Sequence, residues 1–161
     1  MRMAVVVGMI LTLAAGARGD EIAYTLDAVS QGSQYLALGV TAFELSSPSP
    51  RERAFGSELS RSLAYTLAAT QILKYATHQP RPCDPDAGDG FPSGHTAFAF
   101  AFAETLTLHD RNWAIPAFTV AALTGYSRVQ KGAHDPWQVV AGAALGFFIA
   151  QEVGKGHRWE W

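Results

Sequence analysis

A chain of 161 residues is long enough for one domain, and its single cysteine, Cys83, excludes an internal disulfide framework. A formal net charge of −2 leaves no basic stripe, so nucleic acid is not an expected partner. A composition that is 48% hydrophobic and 16% charged is apolar for a soluble protein but modest for an integral membrane one.

In chain order, residues 1–17 read as a signal peptide: Arg2 is a short positive region, Ala4 to Ala15 is an apolar stretch, and Ala15-Gly16-Ala17 has the small-x-small form of a cleavage site. The mature domain is then 18–161, exported to the periplasm or cell envelope. Segments 22–30 and 33–45 read as short helices, separated by the breaker Ser46-Ser47-Pro48-Ser49-Pro50 from a longer helix over 57–78. That helix carries Leu59, Leu63, Leu67 and Ile72 near one face and is stopped by Pro80 and Pro82.

Residues 80–92 form a loop, and Ser93 reads as the N-cap of a helix over 94–109. The alternation Ala97-Phe98-Ala99-Phe100-Ala101-Phe102-Ala103 has the period of a strand, but the alanines favour a helix that is buried all round or touches lipid. Helices over 112–127 and 136–153 follow, with Pro136 in the first turn of the last. Their uncharged stretches, 112–127 and 136–151, are short for a membrane span, which takes about 20 residues. The expected fold is all-α, a compact bundle of about six helices with three apolar ones at its centre. Membrane association stays open; if integral, the helices near 100, 120 and 144 are the spans. The sequence does not give the oligomeric state.

Three short motifs carry the chemistry. Lys74 sits near a helix end, and Arg81 is delivered by a rigid Pro-Arg-Pro turn; the lysine offers a point charge and the arginine a planar fork for two phosphate oxygens. In Pro92-Ser93-Gly94-His95, serine caps, glycine lets backbone approach, and the helix N-terminus offers free N–H groups to an anion. Ser127-Arg128 supplies a third cation, and His134 follows six residues after Arg128. A neutral imidazole at His134 can attack phosphorus if its other nitrogen is held by an acceptor, and on a helix that acceptor belongs one turn on, at position 138. No cysteine pair, no carboxylate at ligand spacing apart from the adjacent Asp135, and no Gly-x-x-x-x-Gly-Lys loop accompany the histidines, so neither metal nor cofactor is expected. His78, His109 and His157 read as surface or packing residues.

Lys74-x6-Arg81-Pro82, Pro92-Ser93-Gly94-His95 and Ser127-Arg128-x5-His134, in this order, resemble the type 2 phosphatidic acid phosphatase (PAP2) superfamily, which also includes bacterial acid phosphatases and vanadium haloperoxidases. The resemblance implies a helical bundle and a metal-free phosphohistidine mechanism on a phosphorylated small molecule or lipid. By analogy His134 is the nucleophile and His95 the general acid and then base, while Lys74, Arg81, Ser93, Gly94 and Arg128 hold the phosphoryl oxygens.

One position departs from the pattern. The family places Asp four residues after the nucleophilic histidine; this chain has Gln138. Glutamine can accept from the imidazole N–H but brings no charge, and Asp135 can compensate only if its carboxylate turns inward. Two readings follow: a phosphatase for monoesters or lipid pyrophosphates, or a catalytically impaired relative that binds phosphate or lipid headgroups. Vanadate-dependent halide oxidation is a distant third, given the small size of the chain.

Overall fold

The structure is a computed structural model that describes residues 19–157; the expected signal peptide at 1–17 lies outside them. Among the described residues the fold is all-α: α1 (Gly19–Leu45), α2 (Pro50–Thr77), α3 (Gly94–His109), a 3-10 turn (Arg111–Trp113), α4 (Ala114–Gln130) and α5 (Pro136–His157). The helices expected at 22–30 and 33–45 are a single one, α1. Gly32 sits in open space, so nothing turns the chain there, and the serines around it look inward: Ser33 Oγ donates to Ser30 O at 3.0 Å and lies 3.3 Å from Thr124 Oγ1 on α4. Packing against α4 offsets the roughly 1 kcal/mol that a mid-helix glycine costs.

Helix α2 begins at Pro50, seven residues earlier than the apolar periodicity indicates, because Ser49 caps it and proline occupies its first position. Its apolar face also differs from expectation. Leu59 and Leu63 are buried, but Leu67 and Ile72 are exposed, and burial continues along Thr66 and Thr70. At about 100° per residue, Leu59, Leu63, Thr66 and Thr70 share one line, while Ile72 stands about 140° from it. The second half of α2 turns hydroxyls and polar side chains, not leucines, toward its neighbours.

Helix α3 is the hub, packed against all four other helices. In helical geometry the alternating alanines spread over several faces, and Ala97, Ala99, Ala101 and Ala103 are all buried, so the strand-like alternation produces a helix covered all round. Helix α5 approaches α3 most closely through Gly142 and Gly146. A Cβ at Gly142 would sit 2.5 Å from Ser93 O, and one at Gly146 would sit 1.9 Å from Ala97 O. This contact, with Ser93 N–H donating to Gln138 O at 3.0 Å, brings the start of α5 against the start of α3 and sets His134 in one cleft with His95.

Among the described residues no helix is long and apolar enough to cross a membrane.

Candidate active site

His134 is organised by two backbone segments. Arg128 O accepts from the N–H groups of Ala133 at 3.0 Å and of His134 at 3.2 Å, and Gly132 turns with φ +63°. The loop after α4 is thereby folded back on the residue whose side chain supplies a cation, which explains the Ser-Arg-x5-His spacing. From the other side comes the 78–93 loop. Gly90 N–H donates to Gln79 O at 2.7 Å, and Gly90 O lies 2.8 Å from His134 Nδ1. A carbonyl can only accept, so Nδ1 carries the hydrogen and the lone pair is on Nε2. Glycine is required at position 90, since a Cβ there would lie 2.1 Å from Pro80 O.

Gln138 completes this arrangement from within α5. It is fully buried, and its Oε1 lies 3.3 Å from His134 Nδ1 while accepting from Asp135 N–H at 3.1 Å. Its Nε2 donates to Pro80 O at 3.2 Å. The side chain therefore reaches back to the N-cap backbone, as the third residue of a capping box does. The Pro80 carbonyl fixes the amide orientation, because only the NH2 end can face an acceptor. Asp135 does not supply the missing carboxylate: the two partners of Nδ1 are Gly90 O and Gln138 Oε1.

His134 lines a cleft of about 420 Å³ with Lys74, Arg81, Asp89, Gly94, His95 and Arg128. Helix α1 contributes Gln34 and Leu38 to its wall, and α2 contributes Leu67 and Gln71. The cations are not idle. Arg81 Nε donates to Asp89 Oδ1 at 2.7 Å and Nη2 to Oδ2 at 2.5 Å, while Lys74 Nζ donates to the backbone carbonyl of Asp89. Arg128, with its side chain only 9% exposed, has Nη1 3.6 Å from Asp27 Oδ1 on α1, and Lys131 Nζ lies 2.6 Å from the same oxygen. The Nε of Arg128 is buried without a partner.

Burial and this cation cluster depress both histidines to about 4. For His134 burial acts first and is opposed by the Gly90 carbonyl, with Lys74 adding to the fall. For His95 burial again leads, followed by the charges of Arg128 and His134, with Asp27 opposing. Burial also lowers Lys74, and Asp89 opposes that fall. Near neutral pH the ligand-free site thus holds two neutral imidazoles among fixed positive charges: one free nucleophilic nitrogen and one base able to take a proton once a phosphoryl dianion arrives.

The structure brings Lys74, Arg81, Gly94, His95, Arg128 and His134 around one cleft. Ser93 lies behind it. It occupies the N-cap position of α3, but its hydroxyl pairs with Thr96 Oγ1 at 2.9 Å instead of capping a helix N–H. Three contributors carry no motif: the Gly90 carbonyl, the Asp89 carboxylate and Asp27. Asp27 did leave a trace, being the sole charged residue between Glu21 and Glu44. His78 and His109 stay apart from the cleft: His78 closes α2 in a left-handed conformation, and His109 stacks on Phe55 with ring centroids 4.0 Å apart. Cys83 is exposed and free.

Known proteins resemble this chain in sequence and in fold. Residues 57–160 match the PAP2 superfamily. The chain is 37% identical over 108 residues to a lipid A 1-phosphatase of Porphyromonas gingivalis, an alignment covering 63% of this chain and 24% of that protein. It is 33% identical over 130 residues to an undecaprenyl-diphosphatase of Sulfolobus acidocaldarius, covering 74% of this chain and 62% of that protein. The chain therefore spans less than two thirds of the length of either relative. Among solved structures, Aquifex aeolicus LpxE superposes with a TM-score of 0.73 at 23% identity, with 94% of each chain covered. A transmembrane PAP2 type phosphatidylglycerolphosphate phosphatase from Bacillus subtilis superposes with a TM-score of 0.55 at 19% identity, covering 100% of this chain and 98% of that one. These likenesses show the fold.

Proposed function

The chain belongs to the PAP2 superfamily, and from that premise we propose that it is a cell-envelope phosphatase that hydrolyses phosphate monoesters or lipid (pyro)phosphates through a phosphohistidine. The observation that carries this reading is His134, with Nδ1 held by Gly90 O at 2.8 Å, on the wall of a cleft that also holds Lys74, Arg81 and Arg128.

In the first step Nε2 of His134 attacks phosphorus. The N–P bond forms, the P–O bond to the leaving alcohol or phosphate breaks, and His95 gives that oxygen a proton. His95 enters the reaction protonated because the bound dianion favours its charged form. The imidazolium character that develops on His134 is relieved through the Nδ1 hydrogen bond to Gly90 O. In the second step water attacks phosphorus, its proton goes to His95, and the N–P bond breaks to release inorganic phosphate. The cations stabilise charge on the equatorial oxygens throughout, commonly the largest contribution in such sites.

The relatives' names, lipid A 1-phosphatase and undecaprenyl-diphosphatase, favour an amphiphilic phosphorylated substrate. The exposed Leu38 and Leu67 beside the polar cleft suit the apolar part of one. Against the reading of an impaired relative, the Gly90 carbonyl supports turnover by giving His134 Nδ1 an acceptor beside Gln138 Oε1, while neither brings the charge of the family's aspartate. The test is rapid quenching of purified protein with a 32P-labelled monoester or lipid diphosphate. Acid-labile label is expected on the wild type and absent from His134→Ala. No hydrolysis of any member of such a panel would sink the proposal.

A further inference from the structure

The proposed mechanism has no use for Asp89, yet Asp89 engages two of the cleft's three phosphate-binding cations. Its carboxylate takes the Nε–Nη2 edge of Arg81 at 2.7 and 2.5 Å, and its backbone carbonyl takes the ammonium of Lys74. A planar guanidinium edge that fits two carboxylate oxygens fits two phosphoryl oxygens equally well. Asp89 also lines the same cleft as both histidines and stays half exposed, with 48% of its side chain accessible, so it can swing away without unpacking anything. It is followed directly by Gly90, whose carbonyl holds the nucleophile in a position fixed by Gln79. The pivot therefore lies at Asp89 itself, and moving its carboxylate need not disturb His134.

Resting on the phosphatase reading, we propose that Asp89 is a tethered competitor for Arg81: it sets the affinity of the cleft for dianionic phosphoryl groups and reoccupies the arginine fork as inorganic phosphate leaves. Substrate binding exchanges one bidentate anion for another on Arg81, while Lys74 and Arg128 are the cations over which the exchange is decided. The apparent affinity for phosphate is lowered by the fraction of molecules in which the fork is free. An exposed pair is worth little, but the bidentate geometry raises it, and a fork closed about nine-tenths of the time lowers affinity about tenfold. Asp89 thus trades tight binding for escape from product inhibition.

The experiment measures the inhibition constant of inorganic phosphate against a chromogenic monoester for wild type, Asp89→Asn and Asp89→Ser, with melting curves of all three in the presence and absence of phosphate. Both variants are expected to bind phosphate about threefold to tenfold more tightly and to show a larger phosphate-induced rise in Tm. They should also slow progressively as product accumulates. Phosphate binding equal to or weaker than wild type in the folded variants overturns the proposal and makes Asp89 a positioning residue for Arg81. If wild type and variants alike fail to hydrolyse the monoester, the phosphatase reading falls; hydrolysis with no phosphate binding in any of them overturns this proposal alone.

Discussion

Replacing Gln138 by aspartate restores the residue that the family pattern places four positions after the nucleophilic histidine, and if the chain is an impaired relative it should raise activity sharply. The structure predicts otherwise. Gln138 is fully buried, with its amide nitrogen on Pro80 O at 3.2 Å and its amide oxygen shared between Asp135 N–H at 3.1 Å and His134 Nδ1 at 3.3 Å. Aspartate is one methylene shorter, which costs about 1 kcal/mol for the void. It also has no N–H for Pro80 O, and losing that part-buried hydrogen bond costs about 1 kcal/mol. The sum, about 2 kcal/mol, corresponds to a fall in Tm of about 4–8 °C for a chain of this size, well short of unfolding a domain of ordinary stability. The gain in catalysis is small, because the tautomer of His134 is already fixed by Gly90 O at the shorter distance of 2.8 Å. We expect kcat of Gln138→Asp to stay within about tenfold of wild type, a barrier change below about 1.4 kcal/mol. Steady-state kinetics on a soluble monoester, with melting curves alongside, make the measurement. A rise in kcat of a hundredfold or more would show that the missing charge limits the nucleophile, and would refute the assignment of the orienting role to the backbone.

Gly90→Ala should be far more damaging to activity than its chemistry suggests: a Cβ placed 2.1 Å from Pro80 O must push the loop away, and a displacement of the order of 1 Å at a reacting group can cost about a hundredfold in kcat. Wild-type turnover in a folded Gly90→Ala protein would contradict it. Asp27→Ala leaves the largely buried Arg128 without its carboxylate; as the pair lies between surface and fully buried, a loss of about 2 kcal/mol and a Tm lower by about 4–8 °C are expected in scanning calorimetry. An unchanged Tm would mean that the 3.6 Å pair is incidental. For pH, His95 must carry a proton to act as acid, and its free-enzyme pKa is depressed to about 4, so the competent fraction falls tenfold per unit above that value. The dianion of a monoester, with its own pKa of about 6, compensates below pH 6, so log kcat/KM should fall with a slope near −1 from pH 6 to 8. A level profile there would remove His95 from the acid role. Stability runs in the opposite direction: the unfolded chain binds more protons than the folded one wherever the pH lies between the ordinary 6.5 and about 4, so Tm should drop as pH falls through that window.

The six motif residues around the cleft were legible because each belongs to a motif with a local reason for its spacing. The doubled N–H contacts on Arg128 O set the distance from Arg128 to His134, and the start of α3 presents Gly94 and His95 together. The helices themselves could be read from breakers and apolar content, but not their exposure. Leu67 and Ile72 look like core residues in sequence and lie outside, because the inner line of α2 is continued by Thr66 and Thr70. Ser93 reads as a cap and is one by position only, since Thr96 offers its hydroxyl a nearer partner.

What escaped the sequence has a common physical cause. The nearer acceptor for His134, the proposed nucleophile, is a backbone carbonyl, which every residue possesses, so no side chain announces it; the farther one, Gln138, is the side chain that the spacing did announce. The only sign is that position 90 must be glycine, and that follows from Pro80 lying against it, a contact across a loop. The anions that hold the cations, Asp89 and Asp27, come from a turn and from a helix whose first contact with the site is through space. A phosphate pocket of three cations needs such anions when empty, because like charges packed into a half-buried cleft repel and lower one another's affinity for protons, as Arg81 does for Lys74. Asp27, reaching Arg128 and Lys131 from outside the cleft, supports that charge permanently. Asp89, inside the cleft and on the same edge of Arg81 that a phosphoryl group would use, must yield. The same chemical group therefore has opposite consequences for binding, decided by which side of the cation it occupies.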